Sequence, residues 1–341
     1  MRLIKPLVAA LVALQPVCAG AAEPSDSVGR GIEIVRVNRQ CSFGSAVPPG
    51  NYSGMAWLGG NRYAVVSDKS ESDGFFVFAI DVDSVSGQIE SVADLGFRSA
   101  AAPNRDQEGI AWVPSTGKLY ISGEKDNRVY EYDTLGRLTG RQLLLPQEYA
   151  TAGSQYGIEA LTYNPHTHRF WLTTESTLPS DGLRAGYGHI VANRLRLQCF
   201  TDSLTPGPFF YYEMDEPTVS RRPAEYAMGV SELCALDDGR LLVMEREFYV
   251  SPSKIGSWVN VKVFVVAPDG AAPGTLLPKA RLLEFKTRLS LLKYSLANYE
   301  GMCLGPRLSD GSRVLLMVSD SQNRYKGVLK DYFKTIVIRF D

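Results

Sequence analysis

Glu108-Gly109-Ile110-Ala111-Trp112 decides how the rest of the chain is read, because the pattern returns. Glu159-Ala160-Leu161-Thr162-Tyr163, Glu232-Leu233-Cys234-Ala235-Leu236 and Glu300-Gly301-Met302-Cys303-Leu304 repeat it, and Ser53-Gly54-Met55-Ala56-Trp57 repeats it with Ser in the first place. A short apolar run recurring at roughly 50–75-residue intervals points to a propeller or solenoid array. After a turn, each copy is followed by a second apolar run ending in an acid: Asp68, Glu124, Glu175, Glu245 and Asp320.

Working outward, the second repeat is the cleanest, with strands predicted near 110–113, 118–122, 128–132 and 138–144. Pro114-Ser115-Thr116-Gly117, Lys125-Asp126-Asn127 and Thr134-Leu135-Gly136 supply its turns. Four short strands joined by hairpins make one propeller blade. The first repeat reads the same way, near 55–58, 63–67, 75–80 and 91–95. The third carries an insertion, Ser176 to Gly188, before a strand at His189–Leu197. Val261–Val266 and Ala280–Phe285 are the outer strands of the fourth, and Arg288–Asn298 has the spacing of a short helix. The fifth repeat supplies three strands, ending at Ile336–Phe340. Ile32–Val37, rich in β-branched residues, is expected to add the missing fourth and close the ring, removing open sheet edges. The expectation is an all-β protein: a single β-propeller of four-stranded antiparallel blades, five counted and a degenerate sixth left open.

The chain has 341 residues, 45% hydrophobic and 21% charged, enough for a core that needs no metal or disulfide to exist. A formal net charge of −1 gives no argument for nucleic acid or an acidic membrane surface as a partner, and no nucleic acid is expected. Residues 1–22 read as a signal peptide: Arg2 and Lys5 give a basic start, Pro6 to Val17 an apolar stretch, and Ala19-Gly20-Ala21 a small-residue cleavage site. The domain then spans 23–341 and the protein is exported, periplasmic or secreted, and monomeric. No other run reaches the ~18 apolar residues of a membrane span. Cys41, Cys199, Cys234 and Cys303 remain, allowing three pairings, and one disulfide is expected.

First strands of propeller blades line the central channel, so Glu108, Glu159, Glu232 and Glu300 are predicted to converge at one mouth. Carboxylates gathered within ~5 Å cannot all stay ionised without a cation or bound protons. An oxygen-only set selects a hard ion, Ca²⁺ ahead of Mg²⁺. The blander alternative is a set of ion pairs with nearby Arg and Lys. The acids that end the second strands return to the same face, because those strands run antiparallel to the first. Lys69, Lys125 and Arg246 sit beside them. A metal flanked by cations suits small anionic or ester substrates. Asp68, Glu124 and Arg246 are the catalytic candidates, with His189, after the blade-three insertion, as a candidate general base. The chain has no G-x-S-x-G serine elbow and no phosphate-binding glycine loop.

These residues resemble the family called esterase-like activity of phytase, the phytase-like domain. The similarity is carried by Tyr52-Ser53-Gly54-Met55 with Val66-Ser67-Asp68, Asp106-Gln107-Glu108-Gly109-Ile110-Ala111 and Gly157-Ile158-Glu159-Ala160-Leu161. It continues in Leu241 to Arg246, Asn298 to Met302, Leu315 to Asp320 and Thr335-Ile336-Val337, so it covers the mature chain. Ala160 stands where the family has Gly, and Ser231-Glu232-Leu233 is a loose fourth copy. The resemblance implies an exported propeller that cleaves phosphoesters or esters. The Glu-Gly motif is also similar to that of calcium-dependent lactonase propellers, where that Glu holds the metal. The rival reading is a non-catalytic, calcium-stabilised propeller that binds a protein, peptide or glycan.

Overall fold

The computed structural model describes residues 28–153, 156–291 and 294–340. The expected signal peptide, 1–22, lies outside the described residues. Five four-stranded antiparallel sheets account for the strands. The chain starts with β1 (Ile32–Val37). The first sheet is β2 (Tyr52–Gly59), β3 (Arg62–Ser67), β4 (Gly74–Val82) and β5 (Ile89–Ser99). The second is β6 (Gln107–Val113), β7 (Lys118–Gly123), β8 (Arg128–Tyr132) and β9 (Leu138–Gln142). The third is β10 (Ile158–Asn164), β11 (Arg169–Thr174), β12 (Arg194–Thr201) and β13 (Pro206–Glu213). The fourth is β14 (Glu225–Ala235), β15 (Leu241–Val250), β16 (Trp258–Val266) and β17 (Lys279–Arg288). The fifth is β18 (Asn298–Arg307), β19 (Arg313–Asp320) and β20 (Phe333–Phe340), with β1 paired antiparallel to β20 from Ile32↔Phe340 to Val37↔Ile336.

Each repeat segment is thus the first strand of its sheet, and each first strand packs against those of two neighbours: β2 on β6, β6 on β10, β10 on β14, β14 on β18 and β18 on β2. Apolar clusters fill the spaces between consecutive sheets, as with Met244, Val261, Val263, Met302 and Met317 between the fourth and fifth. Burying both faces of every sheet explains why the inner strands read as near-continuous apolar runs instead of alternating ones.

Three expectations are corrected. Arg288–Asn298 is not a helix over its described residues. Leu289 pairs with Tyr294, and Thr287 Oγ1 donates to the Ala297 carbonyl (2.9 Å) and accepts the Ala297 N–H (3.1 Å). Those contacts tie the loop across its own base and override an apparent 3.6-residue period in a segment too short to hold a helix alone. The third strand of the third sheet starts at Arg194, not His189, because the insertion runs on to Asn193, whose buried Oδ1 accepts from Ser176, Thr177 Oγ1 and the Thr177 N–H. The expected disulfide is absent: Cys41, Cys199, Cys234 and Cys303 are all free thiols, three of them buried as small hydrophobes.

Candidate metal centre

Near the beginning of each first strand, its ladder to the second strand is irregular. The skipped residue is Glu159 in the third sheet (between Ile158↔Thr174 and Ala160↔Thr173) and Glu300 in the fifth (between Tyr299↔Ser319 and Gly301↔Val318). The same irregularity spans Ser53-Gly54 in the first sheet and Glu108-Gly109 in the second. A bulge leaves one residue unpaired and re-aims its side chain, which is how a sheet turns an edge position into a site.

In the fourth sheet the skipped residue is Ser231, between Val230↔Glu245 and Glu232↔Met244. The ring is therefore Ser53, Glu108, Glu159, Ser231 and Glu300, and Glu232 stands one residue out of step. It is fully buried, further along the first strands than the ring. Its Oε1 accepts the Leu233 N–H at 3.0 Å, the N–H groups of Leu161, Met302 and Met55 also face it, and its Oε2 has no hydrogen-bond partner. Burial holds this carboxyl well above its usual range despite those donors. The same shift moves the second ring. Opposite Thr174, Glu245 and Ser319 in register, the next residues are Glu175, Arg246 and Asp320. Arg246, not Glu245, is thus the fourth sheet's contribution. Glu245 turns away to Tyr212 Oη (2.6 Å) and Lys279 Nζ (2.7 Å).

Arg246 is the buried hinge of the cluster. Its Nη1 donates to Glu300 Oε1 (2.6 Å) and Asn298 Oδ1 (3.2 Å), and its Nη2 donates to Glu175 Oε1. Asn298 Nδ2 also donates to Glu300 (2.8 Å). On the opposite side, one ligand oxygen each from Asp68, Asp106 and Glu108 lie within 4.8 Å of one another. Lys69 Nζ reaches Asp106 (2.5 Å) and Asp68 (3.1 Å), and Lys125 Nζ reaches Asp106 (3.4 Å). Asp68 Oδ1 is buried with no partner at all. Glu124 closes the arc, accepting the Gly157 N–H at 3.0 Å.

Eight carboxylates, Asp68, Asp106, Glu108, Glu124, Glu159, Glu175, Glu300 and Asp320, thus share this face with three cations, Lys69, Lys125 and Arg246. Burial, then Glu159, Asp68, Glu300 and Glu124, push the Glu108 carboxyl well above its usual range. Burial does the same to Glu159 and Glu300, raises Glu124 and Asp68, and pushes Asp320 up to about 7, with Asp68 adding to it. Raised carboxyls around an unpartnered oxygen mark a place short of positive charge. The oxygen-only donors fit a hard cation such as Ca²⁺.

Of the residues picked out by sequence, Asp68, Glu108, Glu124, Glu159, Arg246 and Glu300 come together here. Glu232 lies deeper, and His189 does not join. It is exposed on the insertion, its backbone paired with Gly186, and no hydrogen bond or ion pair links its ring to the acids among the described residues. Asp106 was missed as a ligand. The signal was Asp106-x-Glu108, a second acid just ahead of β6 and two residues from the repeat's own Glu.

A family model described as Phytase-like, esterase-like activity of phytase, matches residues 47–322. The chain belongs to this family. No curated protein sequence matches it. Among solved structures, an endo-arabinase from Bacteroides thetaiotaomicron is similar at 11% identity, with 87% of this chain and 96% of that one covered and a TM-score of 0.50. A luciferin-regenerating enzyme aligns at 11% identity over 91% of this chain and 97% of its own, TM-score 0.44. The β-propeller domain of Myceliophteria thermophila Cps50 (Swd1) aligns at 7% over 87% and 99%, TM-score 0.37. The neighbours of this phytase-like chain are β-propeller proteins, and the likeness is one of fold.

Proposed function

We propose that this phytase-like protein is an exported, metal-dependent hydrolase of phosphoester or ester substrates, its five sheets closed into one propeller by the β1–β20 pairing. The observation that carries the reading is the group of Asp68, Asp106 and Glu108 oxygens within 4.8 Å of one another, beside an unpartnered Asp68 Oδ1. These three would hold a Ca²⁺, with Glu159 and Glu300 as the next acids around the ring. A bound Ca²⁺ supplies a Lewis acid for a phosphoryl or carbonyl oxygen and an attachment point for an anionic substrate.

The chain's own residues do the rest. Arg246, tied to Glu175, Glu300 and Asn298, fixes one side of the ring and is a positioning residue. Glu124 is partly accessible and its carboxyl is raised by burial, which favours the protonated form and suits it to exchange a proton with a leaving group or water. Lys69 and Lys125, both more than half exposed, offer positive charge at the rim for the substrate's anionic end. His189 has no part.

The test is a turnover screen with aryl phosphates, aryl esters and lactones, in chelator and in Ca²⁺. The expected result is Ca²⁺-dependent hydrolysis of at least one class, lost in Glu108→Gln. A Ca²⁺-induced rise in melting temperature with no turnover of any substrate would leave a calcium-stabilised binding propeller instead. Lactone turnover alone would move the assignment to a lactonase-like hydrolase.

A further inference from the structure

The opposite mouth of the channel has a different chemistry. Four residues beyond each skipped position come Trp57, Trp112, Tyr163, Ala235 and Leu304, one from each first strand, and all five line a cavity of about 290 Å³. Four residues of strand place it ~13 Å from the acids, with Glu232 between. The ring is lopsided: three aromatic side chains come from the first three sheets, while Ala235 and Leu304 leave room on the other side. Arg313 enters there.

We propose that this mouth is a second ligand site, shaped for a small carboxylate with an apolar or aromatic body. Arg313 is the reason. Its side chain is only 11% exposed, and its guanidinium lies over the Trp57 ring at 5.6 Å. Nη1 donates to Asp237 Oδ2 at 2.9 Å, but Nε is buried with no acceptor. A buried donor left unmade costs about 1–3 kcal/mol, more when the group is charged, so the Arg313 guanidinium is incompletely met from within the chain. Asp237 cannot supply the balance. The same Oδ2 also accepts Arg307 Nη2 (2.8 Å), so two guanidinium groups share one carboxylate, and His166 Nε2 stands 3.8 Å from its other oxygen. A ligand carboxylate set beside the Arg313 guanidinium supplies the missing negative charge, while its body lies against Trp57, Trp112 and Tyr163. The volume, at the lower edge of small-molecule pockets, sets the size at about one aromatic ring and a short tether.

Benzoate and phenylacetate are the probes, with benzamide as the uncharged counterpart, titrated into the mature full-length chain by calorimetry and by tryptophan fluorescence. The carboxylates are expected to saturate and to perturb Trp57 and Trp112 emission, with benzamide at least about tenfold weaker. Arg313→Leu should weaken the carboxylates about tenfold or more and leave benzamide unchanged. Should that variant fail to fold, Ala235→Trp fills the cavity from a half-buried position and should block both carboxylates without loss of the cooperative melt. The Ca²⁺ response of the acidic face should persist in whichever variant folds, which separates this site from that one. Equal binding of benzoate and benzamide would overturn the proposal in favour of a merely apolar pocket. Absence of saturable binding, or wild-type affinity in the folded variants, would overturn it outright.

Discussion

At the residue scale, the site turns on which charges are neutralised from within the chain. Arg246 is buried against Glu175 and Glu300, and removing one partner of a buried pair leaves charge uncompensated, at a cost of about 3–5 kcal/mol. Arg246→Met should therefore lower unfolding stability by about that much at neutral pH, read by denaturant melts. The loss should shrink near pH 5, where burial holds a proton on the Glu300 carboxyl. A loss under about 1 kcal/mol at neutral pH would mean that Glu300 is already neutral there and Arg246 is idle. Glu232 makes the opposite case. Burial favours its neutral form, and an amide offers the same acceptor to the Leu233 N–H. Glu232→Gln is expected to change stability by less than about 1 kcal/mol and to leave the Ca²⁺-induced shift in melting temperature intact, whereas Glu108→Gln should abolish that shift. If the two variants behave alike, the register that sets Glu232 apart from the ring is wrong.

At the scale of elements, the bulge explains both what could be read in the sequence and what could not. The five apolar segments, their place as first strands, the β1 contribution and four of the five second-ring positions were legible, because spacing and composition repeat. The fourth copy misled because a bulge residue is recognised by its backbone partners. Ser231-Glu232 puts the eye-catching acid one step past the position that the ladder skips, and Glu245-Arg246 repeats the error on the next strand. His189 misled for a related reason: an insertion has no repeat to fix where its residues point. The glycines that follow the ring positions have a role that local sequence only half discloses. They let neighbouring first strands touch. A Cβ on Gly54 would lie 2.3 Å from the Glu108 carbonyl oxygen, on Gly109 2.6 Å from the Leu161 nitrogen, and on Gly301 3.0 Å from the Ser53 carbonyl oxygen. All three obstacles are backbone and cannot rotate away. Gly54→Ala should cost about 3 kcal/mol or more and weaken Ca²⁺ binding by moving Glu108. Gly186→Ala, with nothing within 4 Å and no positive φ, should stay within about 0.5 kcal/mol. Equal melting temperatures for the two variants would show that the first strands have slack between them.

At the scale of the whole molecule, the acidic mouth should set the pH dependence of stability, and its sign is unusual. Ion-paired carboxylates have depressed folded pKa values, so their stabilisation is lost as pH falls; Asp215, held between Lys262 and Lys279, is such a group. The mouth works the other way. Asp320 is pushed up to about 7, and Glu108, Glu159 and Glu300 lie well above their usual range. With folded pKa values above unfolded ones of about 4, the native state holds protons that the unfolded chain has released. The stabilisation is complete below about pH 4 and drains away as pH rises through about 7 and beyond, by an amount on the order of a few kcal/mol. Metal-free protein should therefore melt at its highest temperature in mildly acidic buffer and lower at about pH 8 than at about pH 5. Ca²⁺ needs the ionised ligands, so its addition should invert that slope: little effect near pH 5, and a gain at pH 8 of about 2.7 kcal/mol at a hundredfold excess over Kd. The measurement is a set of melts across that range, each in chelator and in Ca²⁺. A chelator curve that stays level or rises towards pH 8 would mean that the eight acids are neutralised by the chain's own cations. Parallel curves in the two buffers would place any bound Ca²⁺ away from the ring.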